Sequence, residues 1–161
     1  MTTPHDLQPA GSPAYADRLT TGLPAPRALE AAKRILGGPH LAVLATANAD
    51  GSTQMSVIFV KTDGDDILFS TIDGRRKTAN MRRDPRATLL LHSLAAAATD
   101  SAYATVHGPV DVTEDPGGAF HQVMYGLYMG GATPPPEPGA RRLVVRLSPR
   151  HAYAALPFAA Q

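Results

Sequence analysis

The sequence has no cysteine among its 161 residues. That excludes disulfides, thiolate nucleophiles, iron–sulfur clusters and Cys-based zinc sites. It has no Trp and few other aromatics. It lacks an excess of either charge, with a formal net of +1. Wholesale nucleic-acid binding needs a strong basic excess to displace counterions, so no nucleic-acid partner is expected. No apolar run approaches the ~18–20 residues that span a bilayer, so no membrane partner is expected either. A basic stretch followed by an apolar run, the mark of a secretory leader, is also missing, and the expected location is the cytoplasm. The six histidines show no H-E-x-x-H or similar ligand spacing, so no metal site is expected. Ser56 has no evident histidine–acid partner that would make it a hydrolase nucleophile. Internal repeats are absent.

What is present is a succession of short strands. Residues 1–26 are rich in Pro, Thr, Gly and Ala, show no hydrophobic period, and read as a flexible arm. From 27 to 36, Leu29, Ala32, Ile35 and Leu36 share one helical stripe, stopped by Gly37-Gly38-Pro39. Strands are expected over 40–47, 53–61 and 67–71. Asn48-Ala-Asp50-Gly51 and Asp63-Gly64-Asp65 form the turns between them, because Asp-Gly tolerates the positive φ that tight hairpins need. In the second strand Met55, Val57 and Phe59 alternate with Gln54, Ser56, Ile58 and Val60. Residues 73–83 have helical character, with Asp73 placed as N-cap and Asp84-Pro85 as the stop. Further strands fall at 87–92, 102–113 and 141–147, with 150–156 as an extension. Gly108-Pro109 marks a bend in the second of these. A helix over 115–129 puts Phe120, Val123, Met124 and Leu127 on one face, and a Pro-rich loop follows. The pattern of about six strands with short helices fits a mainly β fold, a closed or nearly closed antiparallel barrel. The barrel domain spans 27–156, and 157–161 is a C-terminal tail. Closure removes the sheet edges that would otherwise template aggregation.

The most informative segment is Ile67–Arg86, ILFSTIDGRRKTANMRRDPR. A strand ends in Ser70-Thr71, a glycine turn follows, and a helix starts on Arg75, Arg76 and Lys77. A helix N-terminus already carries partial positive charge, so cations there are unfavourable unless an anion joins them. Arg75 as a bidentate fork, Lys77 as a point charge and the two hydroxyls make a phosphate cradle. A solvated basic face is the alternative reading of the same residues. Arg82, Arg83 and Arg86 form a second cluster, solvated or reaching an anionic cofactor tail. His92 and His107, near strand ends, are hydrogen-bonded structural residues or pocket lining. Tyr125 and Tyr128 are candidate pocket walls, and Met124 is a packing residue.

Four stretches, LAVLATANADGSTQMSVIFV, ILFSTIDGRRKTANMRRDPRATLLL, YATVHGPVDV and RRLVVRLSPRHAY, resemble the pyridoxamine 5′-phosphate oxidase-like superfamily. Within it the sequence is most similar to actinobacterial flavin/deazaflavin oxidoreductases. Their G-R-x-K-x-x-N-[LM]-x-R-D-P-R pattern falls on Gly74–Arg86. The resemblance implies that Arg75 and Lys77 hold the cofactor's phosphate, and that Ser70 and Thr71 close that side. It implies that the ring lies along the second and third strands and meets Gln54, Met55, Ser56 and Val57. It also implies an antiparallel six- to seven-stranded split β-barrel with short peripheral helices, and a homodimer whose second subunit completes the site. The family's prolines before Gln54 and after Ser56 are Thr53 and Val57 here. The ending R-L-x-P-x-x-x-E-x-W of true pyridoxamine phosphate oxidases is replaced by Arg146-Leu-Ser-Pro149 and His151-Ala-Tyr153. A vitamin B6 oxidase is therefore not expected.

The expected function is an oxidoreductase that uses the deazaflavin coenzyme F420 to transfer a hydride to or from a small unsaturated or carbonyl substrate. The protein supplies orientation and electrostatics, and no catalytic side chain is named. The alternatives are an FMN-dependent oxidase or reductase on the same barrel, or a non-catalytic carrier of either cofactor.

Overall fold

The computed structural model describes Glu30, residues 32–34, 40–93 and 102–155. The expected arm, most of the 27–36 helix and the C-terminal tail lie outside the described residues. Ala32, on the expected stripe, is buried in the barrel core.

Among the described residues seven strands form: β1 (His40–Ala47), β2 (Thr53–Asp63), β3 (Asp66–Ile72), β4 (Arg86–Ser93), β5 (Ala102–Glu114), β6 (Arg142–Leu147) and β7 (His151–Ala155). They run in the order β4-β1-β2-β3-β6-β5, the β4–β5 pairing closes six of them into an antiparallel barrel, and β7 adds to β5. Leu44, Val60, Phe69, Leu89, Leu91, Val106, Val145 and Leu147 fill the interior and are buried completely. The 150–156 extension is thus a separate strand, paired with β5 from Tyr103 to His107.

Two strands change partners along their length. β2 pairs with β1 from Thr53 to Val60 and with β3 only from Lys61 to Asp63. β5 pairs with β4 up to Pro109 and with β6 from Val110 onward. The expected bend at Gly108-Pro109 is where that exchange occurs. Gly108 has a second duty, because the link between β6 and β7 crosses directly over it. A Cβ there would lie 2.0 Å from the Ser148 carbonyl oxygen.

Helix α1 (Arg76–Arg83) carries Met81 into the core and ends at Asp84, where the sequence places the stop. Its start differs from expectation. Arg75 is the N-cap and no side chain caps the helix. The Asp73 carboxylate instead accepts the Gly74 N–H at 2.8 Å and pairs with Arg82 and Arg141. Gly74 sits at φ +80°, so the chain turns before the helix can begin, and Asp73 is left one turn too early.

Helix α2 (Ala119–Tyr128) also starts later than expected. Gly117 and Gly118 take positive φ in a short 3-10 turn. Asp115, buried before that turn, reaches across it to accept the Phe120 and His121 N–H groups, both at 2.9 Å. α2 lies on β2, β3 and β6. Met124 packs beneath it as expected, but Val123 and Leu127 are half exposed and do not share its buried face. Among the described residues no helix is long and apolar enough to cross a membrane.

Candidate functional site

From Thr53 to Val60, β2 has β1 on one edge and, among the described residues, no strand on the other. β3, meanwhile, is paired with β6 from Ile67 to Ile72. The two strands therefore part after a short contact and leave a split in the barrel wall, with alternate backbone amides and carbonyls of β2 pointing into it. Three hydroxyls on these strands, those of Ser56, Ser70 and Thr71, are buried without a hydrogen-bond partner among the described residues. Orphaned buried polar atoms are uncommon and point to a missing ligand or water.

The chain leaves β3 through Asp73-Gly74 and enters α1 on Arg75, Arg76 and Lys77. The Lys77 side chain is buried and has no ion pair within the described residues. Its pKa is lowered, first by burial and then by the charge of Arg75. Arg75 and Arg76 are exposed and likewise carry no ion pair. The other arginines nearby are occupied. Arg82 pairs with Asp73, Arg86 holds Asp84 at 2.7 and 2.9 Å, and Arg83 bonds the Asn80 side chain and the Ala47 carbonyl. Three consecutive cations with no ion pair among the described residues thus stand beside an uncapped helix start, with the longer-range charges of Glu137 acting on Arg75 and of Asp50 on Arg76. A buried cation without a counter-charge is costly, and a bound anion removes the cost.

The pleat divides the ring-side candidates. Gln54 and Ser56 are half buried, on the side of β2 that includes the core residues Ile58 and Val60. Met55 and Val57 point outward and are 62% and 65% exposed. Ser70 and Thr71 also point to opposite faces of β3. Thr71 lies on the side of the core residues Ile67 and Phe69, and Ser70 on the side of Leu68 toward α2. All four hydroxyl and amide side chains thus border the split, but they reach it from two sides.

Other candidates have structural work. The Tyr128 hydroxyl lies at the end of the β1–β2 ladder. It accepts the N–H groups of His40 and Val60 at 2.6 and 3.1 Å and lies within donating reach of both carbonyls. Its ring packs at a tilt of 36° on Phe59, so it clasps α2 to the barrel. Tyr125 meets the edge of His121. His107 bonds Thr88 and stacks on His151, and His92 faces His40. A separate cleft of about 460 Å³ opens between the 3-10 turn and the Pro-rich segment 133–137. Two of its arginines are paired, Arg142 with Glu137 and Arg141 with Glu114, and the buried Asp115 carboxylate that lines it accepts backbone N–H groups.

Sequence comparison matches the pyridoxamine 5'-phosphate oxidase family over residues 28–154. The chain belongs to that family. No curated protein matches the sequence significantly. Among solved structures, an F420 reductase is 27% identical, with a TM-score of 0.66 over 74% of this chain and 94% of that one. A putative pyridoxamine 5'-phosphate oxidase from Listeria innocua has a TM-score of 0.58 at 17% identity, over 77% and 94% of the two chains. A heme storage protein from Vibrio cholerae has a TM-score of 0.56 at 14% identity, over 78% and 93%. At such identities the last two show the fold alone. Family membership, the F420 reductase and the split barrel together support a flavin-type oxidoreductase at the level of the family.

Asn80 escaped the sequence reading. Its side chain is buried, 3% exposed, one turn after Lys77 on a basic helix. The available signal is the Asn of the G-R-x-K-x-x-N pattern, three residues after Lys77 and directly before the core methionine Met81.

Proposed function

We propose that this protein is an F420-dependent oxidoreductase that moves a hydride between the deazaflavin and a small unsaturated or carbonyl substrate. The observation that carries the reading is Lys77, a buried cation with no counter-charge, beside three orphaned hydroxyls at a split in the barrel. Lys77 and Arg75, with Arg76 at the rim, hold the phosphate together with the uncapped amides of the α1 start. The hydroxyls of Ser56, Ser70 and Thr71 and the open edge of β2 offer hydrogen bonds to the ring and its side chain. Bound there, the cofactor supplies the redox chemistry, and the chain orients it and screens it from water. The 27% identical F420 reductase supports the deazaflavin.

FMN is the second reading, and a specific feature favours it. Arg82, Arg83 and Arg86 are engaged within the protein, so the free charge matches one compact phosphate better than a long anionic tail. Spectral titration of the purified protein with F420 and with FMN decides between them. Turnover with a panel of enones and carbonyl compounds separates an enzyme from a carrier. Failure to bind either cofactor would overturn the reading.

The outer face of β2, β1, β4, β5 and β7 supports the proposed homodimer. It exposes Met55, Val57, Phe59, Leu41 and Tyr103 side by side across paired strands. A contiguous apolar sheet face of this kind marks an interaction surface, and a second copy covers it by two-fold symmetry. The face adjoins the split, so the partner would wall one side of the site. Light scattering should return twice the chain mass, and Val57→Asp should return the monomer. A monomeric parent at micromolar concentration would exclude the dimer.

A further inference from the structure

Asn80 uses all of its hydrogen-bonding capacity. Its Nδ2 donates to Thr46 Oγ1 at 3.1 Å and to Asn48 Oδ1 at 2.9 Å, and its Oδ1 accepts both Nη groups of Arg83 at 3.2 Å. The bonding continues beyond it. Thr46 Oγ1 donates to Gln54 Oε1 at 3.1 Å, and Gln54 Nε2 donates to the Met55 carbonyl at 3.1 Å. A continuous run of side chains therefore ties helix α1, which bears Lys77, to the segment of β2 that borders the split. Thr46 and Asn80 are both buried at 3% exposure. In such surroundings a hydrogen bond is hard to replace with water, and each link holds its neighbours in one arrangement. Among the described residues no hydrogen bond or ion pair links the basic turn 73–77 directly to β2.

We propose that Asn80 is a positioning residue that sets the spacing between the phosphate-holding turn and the β2 edge, so that one ligand engages both at once. The proposal rests on reading the split as a flavin-type cofactor site. Two subsites bound by one molecule reinforce each other only if their separation matches the molecule. Losing the brace should therefore weaken the intact cofactor while leaving each half-ligand unaffected.

The test compares the parent, Asn80→Ala and Thr46→Val with three probes. These are whichever of F420 and FMN the parent binds, the same ring without its phosphate (riboflavin for FMN), and inorganic phosphate. The expected result is a Kd for the intact cofactor raised roughly tenfold in both variants, with riboflavin and phosphate each changed by less than about twofold. In addition, Lys77→Ala should cost less in the Asn80→Ala background than in the parent. Thr46→Val is nearly isosteric and keeps the test open if Asn80→Ala fails to fold. Equal binding of the intact cofactor by parent and variants would overturn the proposal. So would a parallel loss for all three probes, which a merely structural residue would produce. A parent that binds none of the probes would instead remove the cofactor site itself.

Discussion

Replacing Lys77 with methionine is expected to move two measurements in opposite directions. Cofactor affinity should fall, because a charge-assisted hydrogen bond contributes about 1.5–3 kcal/mol, or roughly ten- to a hundredfold in Kd. The stability of the unliganded protein should rise, by about 0.5–2 kcal/mol, because a buried and unmatched ammonium is exchanged for an apolar side chain of similar length. pH adds a signature. Burial, and then Arg75, hold the Lys77 pKa below that of an ordinary lysine. The folded value is thus lower than the unfolded one. Below both, the charge is carried at a cost. As pH climbs through the folded value toward the unfolded one, the unliganded protein gains stability, since the unfolded chain binds more protons there. The anion needs the charged lysine, so affinity should decline across that same window. Lys77→Met should lose both slopes. Arg75→Ala should weaken binding with little effect on stability, because Arg75 is exposed. Undiminished cofactor affinity in Lys77→Met would show that the lysine holds no phosphate.

Gly108→Ala is expected to cost about 3 kcal/mol, measured by denaturant unfolding. The new methyl would sit 2.0 Å from the Ser148 carbonyl oxygen and 3.3 Å from the Arg150 nitrogen, both backbone atoms with no flexible side chain to yield. The crossing link is fastened on either side by Ser148 N–H to the Pro109 carbonyl at 3.0 Å and by Arg150 N–H to the His107 carbonyl at 2.9 Å. To admit the methyl, the link must lift, which loosens β6 and β7 from β5 together. A loss below about 1 kcal/mol would mean that the link relaxes freely and that the close approach is not required.

Local chemistry made most of the fold legible. β1 runs over the residues that its apolar stretch marks, and Gly51 at φ +83° makes the turn that Asp50-Gly51 announces. The bend at Gly108-Pro109 is there too. Periodicity assigns a residue to a face, however, and not to a neighbour. The exchange of partners by β2, which opens the split, has no signature within the strand, and that of β5 is marked only as a bend. Capping was misplaced for a related reason. Asp73 is the expected N-cap, but glycines at positive φ delay both helices, so the Asp73 carboxylate acts elsewhere and Asp115, the expected first residue of the later helix, reaches its amides at longer range. In the site, the three cations were readable because a helix start repels them. Their isolation was not, since it depends on Asp73, Asp84 and Asn80 engaging Arg82, Arg86 and Arg83. Tyr128 looked like a pocket wall because nothing in the sequence shows that a hydroxyl on α2 meets the far end of the β1–β2 ladder.

Being tied along one edge only, β2 should exchange its amide hydrogens with a two-residue beat between Thr53 and Val60. Amides turned toward β1 are released only when the ladder opens, and they should be protected for as long as the barrel survives. Their alternate neighbours face the split and need no opening event, so deuterium should enter them early. A bound ligand lying along that edge would slow the fast set and leave the slow set unchanged, erasing the beat. Residue-resolved deuterium uptake over these eight positions would then trace the ligand's footprint on the backbone.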